Sequence, residues 1–242
     1  MRDEVYVRRL EAFGDIVMGF SLALLGLTLV VPNHASALVE NQTWLVAYVW
    51  TFALVCVLWA SHYWTFRYVF VPTPLCLMVN YAKLALTVLL VFMVQVALRS
   101  YQTGTTRDII VANELYWGCL AAIWAASAVL LVVGLRDRRA TLQPEIVQRC
   151  VARIYRIAAT VPALIVGILI GARGRADMMS LVVAISLVVG LGLGRAAAAL
   201  AFRGPRLVLD DRAVESQRLP AKDYPRRFDD HSDDDVTDRE QG

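Results

Sequence analysis

The sequence predicts an all-α polytopic membrane protein: six transmembrane helices, both termini cytoplasmic, and a disordered charged C-terminal tail. Three observations predict it. Of the 242 residues, 58% are hydrophobic and only 19% are charged, against about 25% charged in ordinary soluble domains. The charge is also unevenly divided. Residues 203–242 hold 8 Lys and Arg and 11 Asp and Glu, which leaves 16 basic and 10 acidic residues for positions 1–202. At about 13% charged, the first 202 residues have too few charges to cover a soluble globule. Finally, uncharged runs recur at lengths near the ~20 residues a helix needs to cross the hydrocarbon core.

Taken in order, residues 16–39 and 41–66 contain no Asp, Glu, Lys or Arg, 68–98 are broken only by Lys83, and 115–135 are again uncharged. Shorter runs at 157–172 and 178–194 are extended by Ala-rich flanks. These runs predict helices near 12–32, 44–67, 75–98, 112–134, 153–172 and 177–201, all within one domain at 1–202. Orientation follows from the loop arginines. With the N-terminus inside, thirteen fall on the cytoplasmic side: Arg2, Arg8, Arg9, Arg67, six between Arg136 and Arg156, and Arg203, Arg206 and Arg212. Only Arg99, Arg107, Arg173 and Arg175 fall outside. The tail at 203–242, with Asp229-Asp230 and Asp233-Asp234-Asp235, cannot bury a core; the sequence leaves any protein partner for it unknown.

Composition excludes several classes. A soluble enzyme is too apolar a fit, four cysteines are too sparse for a disulfide scaffold, and basic residues lying between apolar runs do not make a nucleic-acid patch. No catalytic or metal-ligand spacing occurs, so an enzyme, a metal site and a cofactor are not expected. Cys56, Cys76, Cys119 and Cys150 read as packing residues. Gly190-Leu191-Gly192-Leu193-Gly194 imitates a dinucleotide fingerprint but lies within an apolar helix with no preceding strand. Gly190 with Gly194, and Gly167 with Gly171, read instead as small-xxx-small packing pairs.

Ionisable groups inside spans are functional candidates by default. At 1.5 Å of rise per residue, Arg9, Asp15, His62, Asn80 and Lys83 fall in one layer near the cytoplasmic ends of the first three helices. That layer suggests a buried polar network joining them; the alternative is that Lys83 snorkels alone to the headgroups.

The segment Arg9-Leu10-Glu11-Ala12-Phe13-Gly14-Asp15 resembles the R-x-x-x-F-S-D signature of the transmembrane protein 175 family, lysosomal potassium channels and their bacterial relatives. Trp59-Ala60-Ser61-His62 followed by Phe66 resembles that family's W-x-N-H-H-x-x-F segment, and Asn80 matches a third position. Three residues depart from the pattern: Gly14 for serine, Ser61 for asparagine and Tyr63 for the second histidine. The Pro-Phe that commonly ends the third helix in relatives is also replaced, by Val96-Ala97-Leu98.

The resemblance implies a homotetramer of six-helix subunits in a lipid bilayer (for a bacterial-type member, the cell membrane), with the first helices lining a central pore. It implies K⁺ as the permeant ion and a hydrophobic gate built from apolar side chains, placed here at Phe20, Leu24 and Leu27. A T-V-G-Y-G filter is absent from the sequence. Two other readings remain: a non-conducting scaffold or partner subunit of the same fold, and a proton-coupled transporter using Asp15, His62 and Lys83.

Overall fold

A computed structural model of the chain describes residues 2–27, 42–173 and 176–201. The tail at 203–242, and the last turn expected for the first helix, lie outside the described residues. Among the described residues every regular element is a helix: α1 (Arg2–Leu27), α2 (Gln42–Tyr68), α3 (Pro74–Thr103), α4 (Thr106–Arg138), α5 (Pro144–Arg173) and α6 (Ala176–Ala201). All six contain a stretch long and apolar enough to span a bilayer. The chain is therefore a six-helix, multi-pass membrane protein.

Several helices run beyond their apolar windows, because a helix does not stop where the hydrocarbon does. It stops where its end groups are capped. Helix α4 starts six residues before the uncharged run suggests, at a capping box. Thr105 Oγ1 accepts from the Asp108 amide at 3.3 Å, and Asp108 Oδ2 accepts from the Thr105 amide at 2.8 Å. Helix α3 starts with Thr73 as its cap, accepting from the Cys76 amide at 3.2 Å, and Pro74 in the first turn. Helix α5 begins at Pro144, nine residues ahead of the expected start. The connections from α2 to α5 are consequently short, which favours packing between sequence neighbours.

Helix α4 lies at the centre of the bundle. It packs against α3 and α5, more lightly against α6 and α2, and its Leu120, Ile123, Leu130 and Leu131 are almost fully buried. The largest core cluster joins all six helices through Met18, Leu25, Leu54, Val55, Leu90, Leu164 and Val183, among others. Two smaller clusters lie around Phe66, Phe70 and Leu10, and around Val69, Ile146 and Cys150. Cys76, Cys119 and Cys150 are buried and all four cysteines are free, in keeping with packing roles.

Helix α1 is peripheral, packed chiefly against α2 and α3. Helices α5 and α6 form the most extensive pair, and glycines set their separation. A Cβ on Gly190 would lie 2.7 Å from Thr160 Cα, one on Gly167 would lie 2.5 Å from Ser186 Oγ, and one on Gly194 would overlap Arg156 Cα. This is small-residue packing between membrane helices, where close backbone approach substitutes for a hydrophobic driving force.

Hydroxyls buried in the bundle are satisfied along their own helices. Ser21, Thr65, Thr87, Ser127, Thr160 and Ser186 each donate to the carbonyl four residues earlier, at 2.7–2.9 Å. Between helices, the hydroxyls of Thr51 and Tyr116 lie 3.2 Å apart and tie α2 to α4.

Candidate functional site

Helix α1 shows two unlike faces. Leu10, Gly14, Met18, Ser21 and Leu25 are buried at spacings of three and four, toward α2 and α3. On the other side Phe13, Ile16, Phe20 and Leu27 are exposed within about 60° of helix circumference. Phe20 is 59% and Leu27 81% exposed, so among the described residues nothing covers this stripe. Leu24 sits at its edge, partly buried and packed against the core. Phe20 and Leu27 thus share the open face, and Leu24 turns partly away from it.

The motif residues divide into an exposed pair and an enclosed set. Asp15 accepts a hydrogen bond from the indole Nε1–H of Trp59 at 2.8 Å, which joins the first motif to the second across α1 and α2. Both partners are exposed in the single chain. Phe13 meets Tyr81 of α3 edge-on at 6.2 Å between ring centroids, and Tyr6 hydrogen-bonds the same tyrosine. Arg9 is exposed.

His62, Asn80 and Lys83 are 0% exposed. Neither nitrogen of His62, neither amide atom of Asn80, nor Lys83 Nζ has a hydrogen-bond partner among the described residues. The Lys83 ammonium is close enough to act electrostatically on His62. Lys83 is thus enclosed in the bundle and does not reach out to the headgroups. Gly14 explains how His62 fits: a Cβ at position 14 would overlap the imidazole at Nε2. The ring lies directly on the α1 backbone, with Phe66 on its other side at 4.5 Å between centroids. The departure of Gly14 from the motif serine is therefore a steric one, since a serine there and this placement of His62 exclude each other.

Two contributors escaped the sequence reading. Tyr81 gathers Phe13 and Tyr6, and its only sequence signal was its position next to Asn80. Tyr63, which stands where the motif has its second histidine, accepts a hydrogen bond from Arg67 one turn later. Arg67 in turn feels Glu11 of α1, which also lies in the field of Arg8. A charged and aromatic collar thus rings the end of the bundle where α1 begins and α2 ends. Among the described residues, no group of three or more His, Cys, Asp or Glu is placed to hold a metal ion.

Six membrane-spanning helices, a motif-bearing first helix with an uncovered apolar face, and enclosed polar groups on α2 and α3 describe a polytopic membrane protein. Residues 9–91, which span most of α1 to α3, match a family model described as the endosomal/lysosomal potassium channel TMEM175. Through this segment the chain is similar to the TMEM175 potassium channel family. No curated protein and no solved structure matches the chain.

Proposed function

We propose that this chain is the subunit of a tetrameric, K⁺-preferring cation channel whose α1 helices line the central axis. The observation that carries the proposal is the asymmetry of α1. The helix that bears the family motif packs one face into its own subunit and leaves Phe13, Ile16, Phe20 and Leu27 uncovered. Four such stripes around an axis would form stacked apolar rings, with Phe20 as the bulkiest side chain on the membrane-buried part of the stripe. A ring of this kind gates by dewetting and by stripping water from the permeating ion. On this reading the exposed Asp15–Trp59 pair lies beside the pore entrance and holds α1 at a fixed angle to α2. The protein needs no cofactor for conduction and performs no enzymatic step. It sits in the cell membrane with both termini in the cytoplasm, and residues 203–242 form a separate cytoplasmic tail.

Purified protein in liposomes loaded with K⁺ should release it down a gradient faster than it releases Na⁺. Phe20→Ala should raise the flux or reduce the preference for K⁺. Absence of flux from both proteins, in samples shown by cross-linking to be tetrameric, would leave a non-conducting subunit of the same fold. Uptake driven by a proton gradient and abolished in Asp15→Asn would point to a transporter instead.

A further inference from the structure

A partly enclosed cavity of about 320 Å³ lies on the far side of α2 from His62, between α2, α4, α5 and α6. Its polar lining comprises Ser61, Ser127, Arg153, Arg156 and Thr160, with Trp124 among the apolar walls, and none of its lining residues is acidic. Ser127 and Thr160 donate to backbone carbonyls of their own helices, so the two guanidinium groups are the charges that define the site.

Both arginines are held with donors to spare. The Arg153 guanidinium carbon lies 3.9 Å from the centroid of the Trp64 ring, a stacked cation–π arrangement. Stacking fixes the plane of the guanidinium and leaves its N–H edge unblocked. Arg156 gives only Nε, to the Ala152 carbonyl at 3.4 Å. Among the described residues neither pairs with a carboxylate. Apart from the Cys150 thiol, the groups that act on them electrostatically are other arginines: Arg149 and Arg156 on Arg153, and Arg195 on Arg156. Two half-buried, mutually repelling cations facing one cavity are unfavourable unless an anion joins them.

Their position along the helices narrows the choice of anion. Arg156 is the last charge before the uncharged run 157–172 of α5, and Arg195 is the first after the run 178–194 of α6. The cavity therefore stands at one edge of the hydrocarbon layer, the level of the lipid phosphates.

We propose that Arg153 and Arg156 form a binding site for a phosphate-bearing anion, filled by the headgroup of an anionic phospholipid. The forked guanidinium geometry suits two phosphate oxygens, and Ser61 in the lining is short enough to leave room for them. An asparagine, the family's residue at that position, would fill part of the space.

The full chain in neutral detergent would be titrated with phosphatidylglycerol, phosphatidylcholine or inorganic phosphate while its Tm is followed. Phosphatidylglycerol should raise Tm saturably and phosphatidylcholine should not. Arg153→Gln and Arg156→Gln should each raise the half-saturating lipid concentration by roughly tenfold or more. If inorganic phosphate reproduces the shift in the wild type and not in the variants, the same site serves a soluble phosphate. Equal shifts with the two lipids, or an undiminished shift in the Gln variants, overturn the site. Should the Gln variants fail to fold, Arg153→Lys with Arg156→Lys keeps the charge and removes the forks. That variant should bind phosphatidylglycerol several-fold more weakly, and unchanged binding would equally overturn the site. Because the readout is lipid binding without ion flux, the result stands apart from the channel reading.

Discussion

At the contact of α5 with α6 two backbones meet through glycines, whereas at the contact of α1 with α2 a glycine faces a side chain. Gly190 and Gly194 lie against Cα atoms of Thr160 and Arg156, while Gly14 lies against the imidazole of His62. At Gly190 and Gly194 the nearest atom is main chain, so the first contact cannot adjust there without moving a whole helix. The second ends in a ring that rotates about its own side-chain bonds, next to enclosed polar groups with no hydrogen-bond partner among the described residues. One half of the bundle is thus built as a fixed joint. The other, the half that carries the family motif, keeps unsatisfied polar chemistry close to the helix proposed to line the pore.

The largest expected effect tests the fixed joint. Gly194→Leu places a branched side chain into the Arg156 backbone, so α5 and α6 must separate. The cost should be about 3 kcal/mol, at the upper end of ordinary overpacking, read as a fall in Tm in detergent. The same change should disturb the arginine cavity, because Arg156 is the residue displaced. A variant as stable as the wild type would mean that the two helices are not in close contact, and the contrast with α1 would collapse.

The second test concerns the polar half and has the opposite sign. Lys83 is a buried cation with no hydrogen-bond partner among the described residues. Replacing such a charge by an apolar side chain of similar length removes a desolvation cost without opening a cavity. Lys83→Met should therefore stabilise the fold, by about 1–3 kcal/mol, while altering or abolishing K⁺ flux. A stabilised but impaired variant is the expected signature of a group kept for function at the expense of stability. A destabilised variant would show that the Lys83 ammonium has a partner inside the bundle, such as an enclosed water.

These contrasts were unequally visible in the sequence. The six spans were legible because uncharged runs of that length have one solution in a bilayer, and the glycine pairs were legible because their four-residue spacing places them on one helix face. The starts of α3 and α4 were written in Thr73-Pro74 and in Thr105 with Asp108, which hydropathy alone passes over. A common level for Asp15, His62, Asn80 and Lys83 followed, as an expectation, from counting residues. Their division into an exposed pair and an enclosed set did not, since helix rotation depends on packing against α2 and α3. Leu24 illustrates the limit: it shares the i, i+4, i+7 spacing of Phe20 and Leu27, yet falls at the edge of the core. The arginine cavity was out of reach, because Ser61 and Arg153 are far apart in the chain and meet only once α2 packs beside α4 and α5.

The smallest effect is expected at Gly14, and it separates the two kinds of joint. Gly14→Ser restores the residue of the family motif and forces the His62 ring to turn away. Since a side chain yields and no backbone must move, the cost should be about 1 kcal/mol, well below that at Gly194. The two positions should also be coupled. In a His62→Ala background the obstruction is gone, so Gly14→Ser should then cost close to nothing, a non-additivity that a double-mutant cycle reads directly. If the cost of Gly14→Ser is the same with and without His62, the strain arises from the α1 backbone itself. The tolerance ascribed to this half of the bundle would then be lost. If the cost vanishes, the glycine and the histidine form one unit: the small residue in α1 is the space that the buried ring of α2 occupies.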